Sequence, residues 1–411
     1  VSAKMAAKKA NSSTEGIVEE IQIDDTDDDT PIINLLNSLI ERAANTNASD
    51  VHIEPFEHKT TVRMRIDGTI TEYVTLQKNL HPSLIARIKI LSDLDIAERR
   101  APQDGHFRTQ VNDEMINIRV SVIPTVFGEK AVLRLLTSNS SIDYPASFGM
   151  KEDDYKKFSK LLNSPHGIIY LTGPTGSGKS TTLYMVLEEL SKKQVNISTI
   201  EDPVEKNVAR INQMQVNNLA GVTFEAGLRA LLRQDPDIIM VGETRDSETA
   251  SISVRAAITG HLVFSTLHTN DSASSIIRLV DMGLEPYMIA NSLVGVVAQR
   301  LMRKVCPLCA VAEEPTEEEK EFMERDIPRI MRPRGCRHCN NTGYKGRTAI
   351  HEILTIDRTI RDMISSHATV EEIKDYALEH QGMKTLKECG VDLVEAGVTT
   401  MDELMKVAYY S

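Results

Sequence analysis

Hydrophobic and polar residues follow two different periods along this chain, and the period changes where the organisation changes. After Thr30-Pro31, apolar residues recur at helical spacing (Ile32, Ile33, Leu35, Leu36, Leu39, Ile40, Ala43, Ala44). A Thr before a first-turn Pro marks a helix start, where the missing proline N–H has no partner to lose. Strand-like runs follow at Val51–Ile53, Thr61–Ile66, Thr69–Val74 and Met115–Val122, with a helical stretch at Pro82–Leu91 between them. The mixture predicts an α+β domain over residues 30–137. Residues 138–147 are polar with one Pro and read as a linker. From residue 148 to 302, short apolar runs (Ile168–Leu171, Asn196–Ile200, Ile238–Val241, Leu262–Leu267) alternate with helical patterns, as in a parallel sheet covered on both faces. A cysteine-bearing module is expected over 303–345. Helices are expected in 346–411, at Val370–His380, Gly382–Ala396 and Thr400–Tyr409. Residues 1–29 crowd acids between Glu15 and Asp29 and read as a disordered leader.

Composition narrows the class. The 411 residues are 41% hydrophobic, which is too apolar for a disordered chain, and carry a net charge of −12. That balance, with 4% aromatic residues, argues against nucleic acid as the main partner, which would select a basic footprint and stacking rings. No apolar run reaches the roughly 18 residues of a membrane span; Met288–Ala298 comes nearest and is interrupted by Asn291 and Ser292. Val1–Ala10 has lysines but no apolar signal core. A cytoplasmic location is therefore expected. The chain does not open on Met, so an upstream module is expected as well.

The strongest chemical signal is Gly173-Pro174-Thr175-Gly176-Ser177-Gly178-Lys179-Ser180, which matches G-x-x-x-x-G-K-[ST] at every fixed position. Glycines let backbone N–H groups turn in around phosphate oxygens, and the following helix adds its dipole. Lys179 is expected on the β- and γ-phosphates and Ser180 on Mg²⁺, with Thr181 in the same turn. Ligands of open α/β sheets lie beyond the carboxyl ends of the strands. The expected strands are followed there by Glu201-Asp202-Pro203-Val204-Glu205, by Gly242-Glu243, and by His268-Thr269-Asn270. Glu243 is the natural acid for organising Mg²⁺ or the attacking water, whereas Asp237 opens its strand and lies at the wrong end.

Cys306-Pro307-Leu308-Cys309 and Cys336-Arg337-His338-Cys339 form two C-x₂-C pairs separated by 26 residues. In a reducing compartment this reads as a closed four-thiolate Zn²⁺ site rather than disulfides. Cys389 is expected to be a small buried hydrophobe.

Together these motifs resemble the ATPase family that powers type IV pilus assembly and type II secretion, over nearly the whole chain from Thr30. The resemblance rests on residues 173–180, 201–205, 235–246 (Asp-Pro-Asp-Ile-Ile-Met-Val-Gly-Glu-Thr-Arg-Asp) and 260–270 (Gly-His-Leu-Val-Phe-Ser-Thr-Leu-His-Thr-Asn). It rests also on 48–55 (Ala-Ser-Asp-Val-His-Ile-Glu-Pro) and on Pro102-Gln103-Asp104-Gly105. It implies a RecA-like P-loop NTPase domain of α/β class, an N-terminal PAS-like α+β domain, the tetracysteine zinc module and a C-terminal helical region. It implies ATP and Mg²⁺ as ligands, Glu205 as general base, Glu243 on Mg²⁺, and His261 and His268 near the γ-phosphate. Glu201 and Asp202 fall in the family's Asp box, at the nucleotide. Arg119 and Arg134 match arginines that the N-terminal domain brings to ATP, and Arg233 matches another associated with that site. A homo-hexamer is implied, acting on an inner-membrane platform protein from the cytoplasmic face of the bacterial inner membrane. Membrane association would then be peripheral, through partners. The cysteine pairs favour the assembly or secretion branch. Lys206 departs from the family pattern, which often has an aromatic residue there. A RecA-like nucleic-acid translocase is the alternative, kept open by basic patches at Arg99, Arg100, Arg332, Arg334 and Arg337 and weakened by the net charge.

Overall fold

The computed structural model describes residues 19–21, 30–112, 114–136 and 150–408, which fall into two compact units, 1–140 and 141–411. The first contains β1 (Glu19–Ile21), α1 (Thr30–Asn45), β2 (Ala48–Pro55), β3 (Lys59–Ile66), β4 (Thr69–Gln77), α2 (His81–Leu91), β5 (Gln103–Val111), β6 (Glu114–Thr125) and β7 (Gly128–Leu136). Its sheet runs β1-β4-β3-β2-β7-β6-β5. Of the acidic leader only β1 is described, paired parallel to β4; the rest of it and the linker 138–147 lie outside the described residues. Leu36, Leu39, Ile40 and Ala43 of α1 and Leu84 and Ile88 of α2 join Val51, Ile53, Val62, Ile118, Val120 and Leu133 of the sheet in one core. The hydropathy reading has no counterpart of β5 or β7. β5 is an edge strand in which only Phe107 is buried, so burial imposes little alternation on it.

Away from that core, the same sheet carries a charged row. Arg65, Asp50, Arg134, Arg119 and His106 are successive cross-strand neighbours on β3, β2, β7, β6 and β5. The Asp50 carboxylate accepts from Arg134 Nε at 2.8 Å and lies 3.7 Å from Arg65 Nε, while Arg119 is exposed.

The second unit begins with α3 (Glu152–Leu162), β8 (Gly167–Thr172), α4 (Lys179–Leu190), β9 (Ile197–Glu201), β10 (Asn212–Gln215), α5 (Phe224–Leu231) and β11 (Ile238–Val241). It continues through α6 (Ser247–Ile258), β12 (Leu262–Leu267), α7 (Ser274–Asp281), α8 (Pro286–Ser292) and β13 (Leu293–Val305). The cysteine-bearing stretch holds β14 (Val311–Glu313), α9 (Glu317–Met323) and β15 (Ile330–Arg332). Then come β16 (Tyr344–Thr355), α10 (Arg358–Ser365), α11 (Val370–Gln381), α12 (Leu386–Glu395) and α13 (Met401–Ala408). The main sheet runs β10-β9-β11-β12-β8-β13-β16, parallel except for the last pair. β8 shows why its sequence reads as one apolar run. Ile168 and Tyr170 enter the core on one face, Ile169 and Leu171 the core on the other.

The sheet does not stop at residue 302. β13 runs on to Val305, and β16 returns beside it to Thr355, so the hairpin that carries the cysteines is also the edge of the parallel sheet. The apolar run Met288–Ala298 is the end of α8 and the start of β13, and among the described residues no helix is long and apolar enough to cross a membrane. The helix expected at Gly382 starts at Leu386. Gly382 instead closes α11 at φ 58°, and Thr385 and Glu388 form a capping box.

Ala298, Met302, Met323, Ile327, Ile330, Ile350, Leu386, Val394 and Leu404 form a separate core that docks α9, α12 and α13 on this hairpin. At its rim Asp392 accepts from Lys151 (2.7 Å), Lys384 (2.9 Å) and Arg325 (2.7 Å). Burial alone would raise its pKa, but the three cations win and hold it well below the ordinary carboxylate range. A depressed folded-state pKa gives stability that is present above the unfolded value and lost as pH falls below it. Asp392→Asn should therefore cost about 2 kcal/mol at pH 7, because three cations lose their counter-charge. Urea unfolding of both proteins across pH 7 to 3 checks this, and the gap should narrow below about pH 4.

Candidate functional site

Parallel pairing puts β8, β9, β11 and β12 in one direction, so the chain leaves all four at the same edge. The segment 173–180 forms the loop from β8 to α4. Gly173 (φ 146°) and Gly178 (φ 90°) take backbone shapes closed to other residues, and each lies against Gln299. A Cβ on Gly173 would sit 2.5 Å from Gln299 O, and one on Gly178 2.7 Å from Gln299 Nε2. Pro174, Thr175, Gly176 and Ser180 are exposed, as a cradle open to a ligand requires, and Thr181 is half-buried. Lys179 folds back into the loop, donating to Gly173 O at 2.6 Å and Pro174 O at 3.1 Å. Burial, with the nearby charge of Arg300, lowers its pKa to about 8, against the opposing pull of Glu243.

Two of the other strand ends carry further candidate side chains. Glu243 follows β11, with its Oε2 2.5 Å from Arg245 Nε and 3.7 Å from His268 Nε2, and His268 follows β12. Thr172 at the end of β8 accepts from Thr269 N at 2.9 Å, which ties the His268 loop to the phosphate loop. Glu205 and Asp202 follow β9 and are exposed.

Glu201 is placed differently from Glu205 and Asp202. It is buried, with its carboxylate accepting from Thr199 Oγ1 (2.5 Å), Gln213 Nε2 (3.1 Å) and the Tyr184 hydroxyl, so it faces protein rather than an open nucleotide site. His261 also stands apart. It precedes β12 and bonds Ala256 O at 3.0 Å, a strand's length of about 20 Å from the loop at the other end. Arg233 follows α5 on the approach to the start of β11, donating to Arg229 O, and so lies at that same remote edge. Arg119 and Arg134 belong to the first unit's charged row.

The hydropathy reading missed Gln299 and Arg300 because it did not recognise β13 as a strand. Buried Gln299 donates to Ser177 O at 2.9 Å and accepts from Thr182 Oγ1 at 2.8 Å, clamping the loop to its helix. Buried Arg300 donates to Gln299 O at 3.2 Å and to Asn270 O at 2.9 Å. Arg245 was missed as well.

The four cysteine sulfurs Cys306, Cys309, Cys336 and Cys339 lie within 4.8 Å of one another. The edges Cys306–Cys336, Cys309–Cys339 and Cys336–Cys339 measure 3.9, 3.8 and 3.8 Å. A tetrahedral ion with sulfurs about 2.3 Å away sets edges of about 3.8 Å, so the tetrad fits a metal such as zinc. Cys336 N and Gly343 N both donate to Cys339 Sγ at 3.2 Å, which favours a thiolate there. Cys389 is remote from the tetrad, buried, and donates to His351 O.

A family profile described as type II/IV secretion system protein matches residues 25–406. The type II secretion system ATPase E of Vibrio cholerae is 44% identical over 386 residues, covering 93% of this chain and 76% of that protein. The type IV pilus assembly ATPase PilB of Thermus thermophilus is 46% identical over 383 residues, 92% of this chain and 43% of that protein. Among solved structures, the pilus retraction motor PilT with bound ADP superposes with a TM-score of 0.60 at 25% identity, covering 90% of this chain and 96% of that one. The ATPase DotB of Legionella pneumophila gives 0.69 at 21% identity, covering 96% and 100%. The second unit thus has the RecA-like fold of secretion ATPases.

An anion in the loop restores the proton that burial weakens on Lys179. Above about pH 8, binding of a polyphosphate should therefore take up a proton, and affinity should fall as pH rises further. Calorimetry with pyrophosphate at pH 9, in buffers of different ionisation enthalpy, should show uptake in the wild type and none in Lys179→Ala.

Proposed function

This chain belongs to the type II/IV secretion system protein family, and on that premise we propose a hexameric ATPase motor that drives assembly of a pilus or secretion pseudopilus. The observation that carries the reading is the convergence, at one sheet edge, of an intact phosphate loop with Glu243, His268 and Glu205. Relatives named for secretion and pilus assembly give the nucleic-acid translocase no support.

In this reading the loop N–H groups and Lys179 bind the ATP phosphates, and Ser180 and Glu243 hold Mg²⁺. Mg²⁺ held there would supply positive charge that offsets charge on the phosphates. Glu205 accepts a proton from the attacking water, and His268 contacts the γ-phosphate side, steadied by Glu243. Arg119 and Arg134 add guanidinium charge that offsets the charge developing on the phosphates. Arg233, at the remote edge, would serve a neighbouring copy's nucleotide. The Cys306, Cys309, Cys336 and Cys339 tetrad holds structural Zn²⁺. The motor acts on an inner-membrane platform protein from the cytoplasmic face of the inner membrane, without touching nucleic acid.

Two measurements test this. Purified chain should hydrolyse Mg²⁺-ATP, with Lys179→Ala or Glu243→Ala lowering turnover at least a hundredfold; full activity in both, or strong stimulation by DNA, rejects the assignment. Elemental analysis should find one zinc per chain. Cys306→Ser/Cys339→Ser should lose it and expose residues 303–345 to proteolysis while pyrophosphate still binds.

A further inference from the structure

The turn that carries Glu205 is tethered from an unexpected direction. It leaves β9, at the sheet, yet its backbone is held by a side chain of α4, the helix that begins at Lys179. Tyr184 lies five residues into that helix, and its hydroxyl accepts from Glu205 N at 3.0 Å and Lys206 N at 3.4 Å. The same hydroxyl donates to buried Glu201. Burial and the neighbouring Glu201 raise the pKa of Tyr184, so it stays a phenol with its one proton committed to Glu201 and its lone pairs facing the turn.

Glu201 is fixed in turn. Thr199 and Gln213 donate to its other oxygen, and Gln213 also accepts from Val208 N at 2.8 Å and donates to Lys206 O at 2.9 Å. The network therefore encloses residues 202–208 from both ends, and Tyr184 connects it to the helix of the phosphate loop through part-buried hydrogen bonds to Glu205 N and Lys206 N. The parallel link from Lys206 Nζ to Glu188 (2.6 Å) is a half-exposed ion pair, which contributes little to holding a geometry.

We propose that Tyr184 is the positioning residue for Glu205. Its hydroxyl transmits the location of the phosphate loop, through one rigid helix, to the turn whose carboxylate must meet the attacking water. Tyr184 touches neither substrate nor metal. It sets where the base stands relative to phosphates that Lys179 holds from the same helix, so base and phosphate move together. The proposal rests on reading Glu205 as the base. Misplacing a general base by about an ångström costs rate rather than binding, since the phosphate contacts are untouched.

The experiment is a kinetic cycle on the full chain with Tyr184→Phe, Glu205→Gln, the double variant, and Glu188→Gln as the surface control. Tyr184→Phe should lower kcat at least tenfold, with KM for ATP, affinity for a non-hydrolysable analogue and Tm close to wild type. The double variant should be no slower than Glu205→Gln alone. Glu188→Gln should stay within twofold of wild type. Hydrogen exchange should show residues 202–208 loosened in Tyr184→Phe while 173–180 keep their protection, a readout that does not depend on turnover. An unchanged kcat in Tyr184→Phe beside an inactive Glu205→Gln overturns the positioning role and leaves the base intact. Multiplying effects in the double variant overturn it as well. Wild-type turnover in Glu205→Gln removes the base assignment itself, and the positioning role with it.

Discussion

Everything at the site depends on the parallel ladder that pairs β8 with β12 on one side and β13 on the other. Thr172 is paired with Leu267 across one ladder and with Ala298 across the other. The next residues of three strands therefore emerge together: Gly173 into the phosphate loop, His268 into the loop bound to Thr172, and Gln299 against the glycines. A one-residue slip in either ladder would turn Gln299 or His268 to the opposite face of the sheet. Because apolar side chains cover both faces, such a slip would also expose a core, so burial and chemistry specify the same register.

The electrostatics follow from that register. Lys179 and Arg300 are two cations sheltered at one edge, with Glu243 the acid that opposes the shift of Lys179. Their desolvation is met by folding, before any ligand arrives, and an anionic ligand gains interactions whose cost has largely been met already. The charged row of the first unit shows the opposite strategy. Its arginines stand on an exposed sheet face, Arg134 and Arg65 flanking one acid and Arg119 open to solvent.

Much of this was legible in the chain. Eight residues with fixed glycines specify a phosphate loop wherever a strand precedes and a helix follows, and both signals are local. The cysteine spacing was equally plain, since two knuckles need only a hairpin to meet. Asp237 precedes its strand and so lies at the edge away from the phosphate loop, and His261, just before β12, lies at that edge for the same reason. Arg233 falls there because α5 returns against the strand direction. Tyr184, Gln299 and Arg300 were hidden because their importance lies in partners far along the chain. A tyrosine inside an amphipathic helix looks like core until the turn that it holds is known. β13 itself was concealed by α8, whose apolar residues run straight into it and blur the change of period.

β13 joins two parts of the molecule. Gln299, which grips the phosphate loop, lies within β13, and Cys306, the first thiol of the tetrad, directly follows the end of that strand, which β16 pairs along most of the intervening stretch with one register irregularity between Arg303 and Val305. The thiol knuckle thus follows the same strand whose Gln299 bonds Ser177 and Thr182, so the knuckle and the phosphate loop share one edge of the sheet.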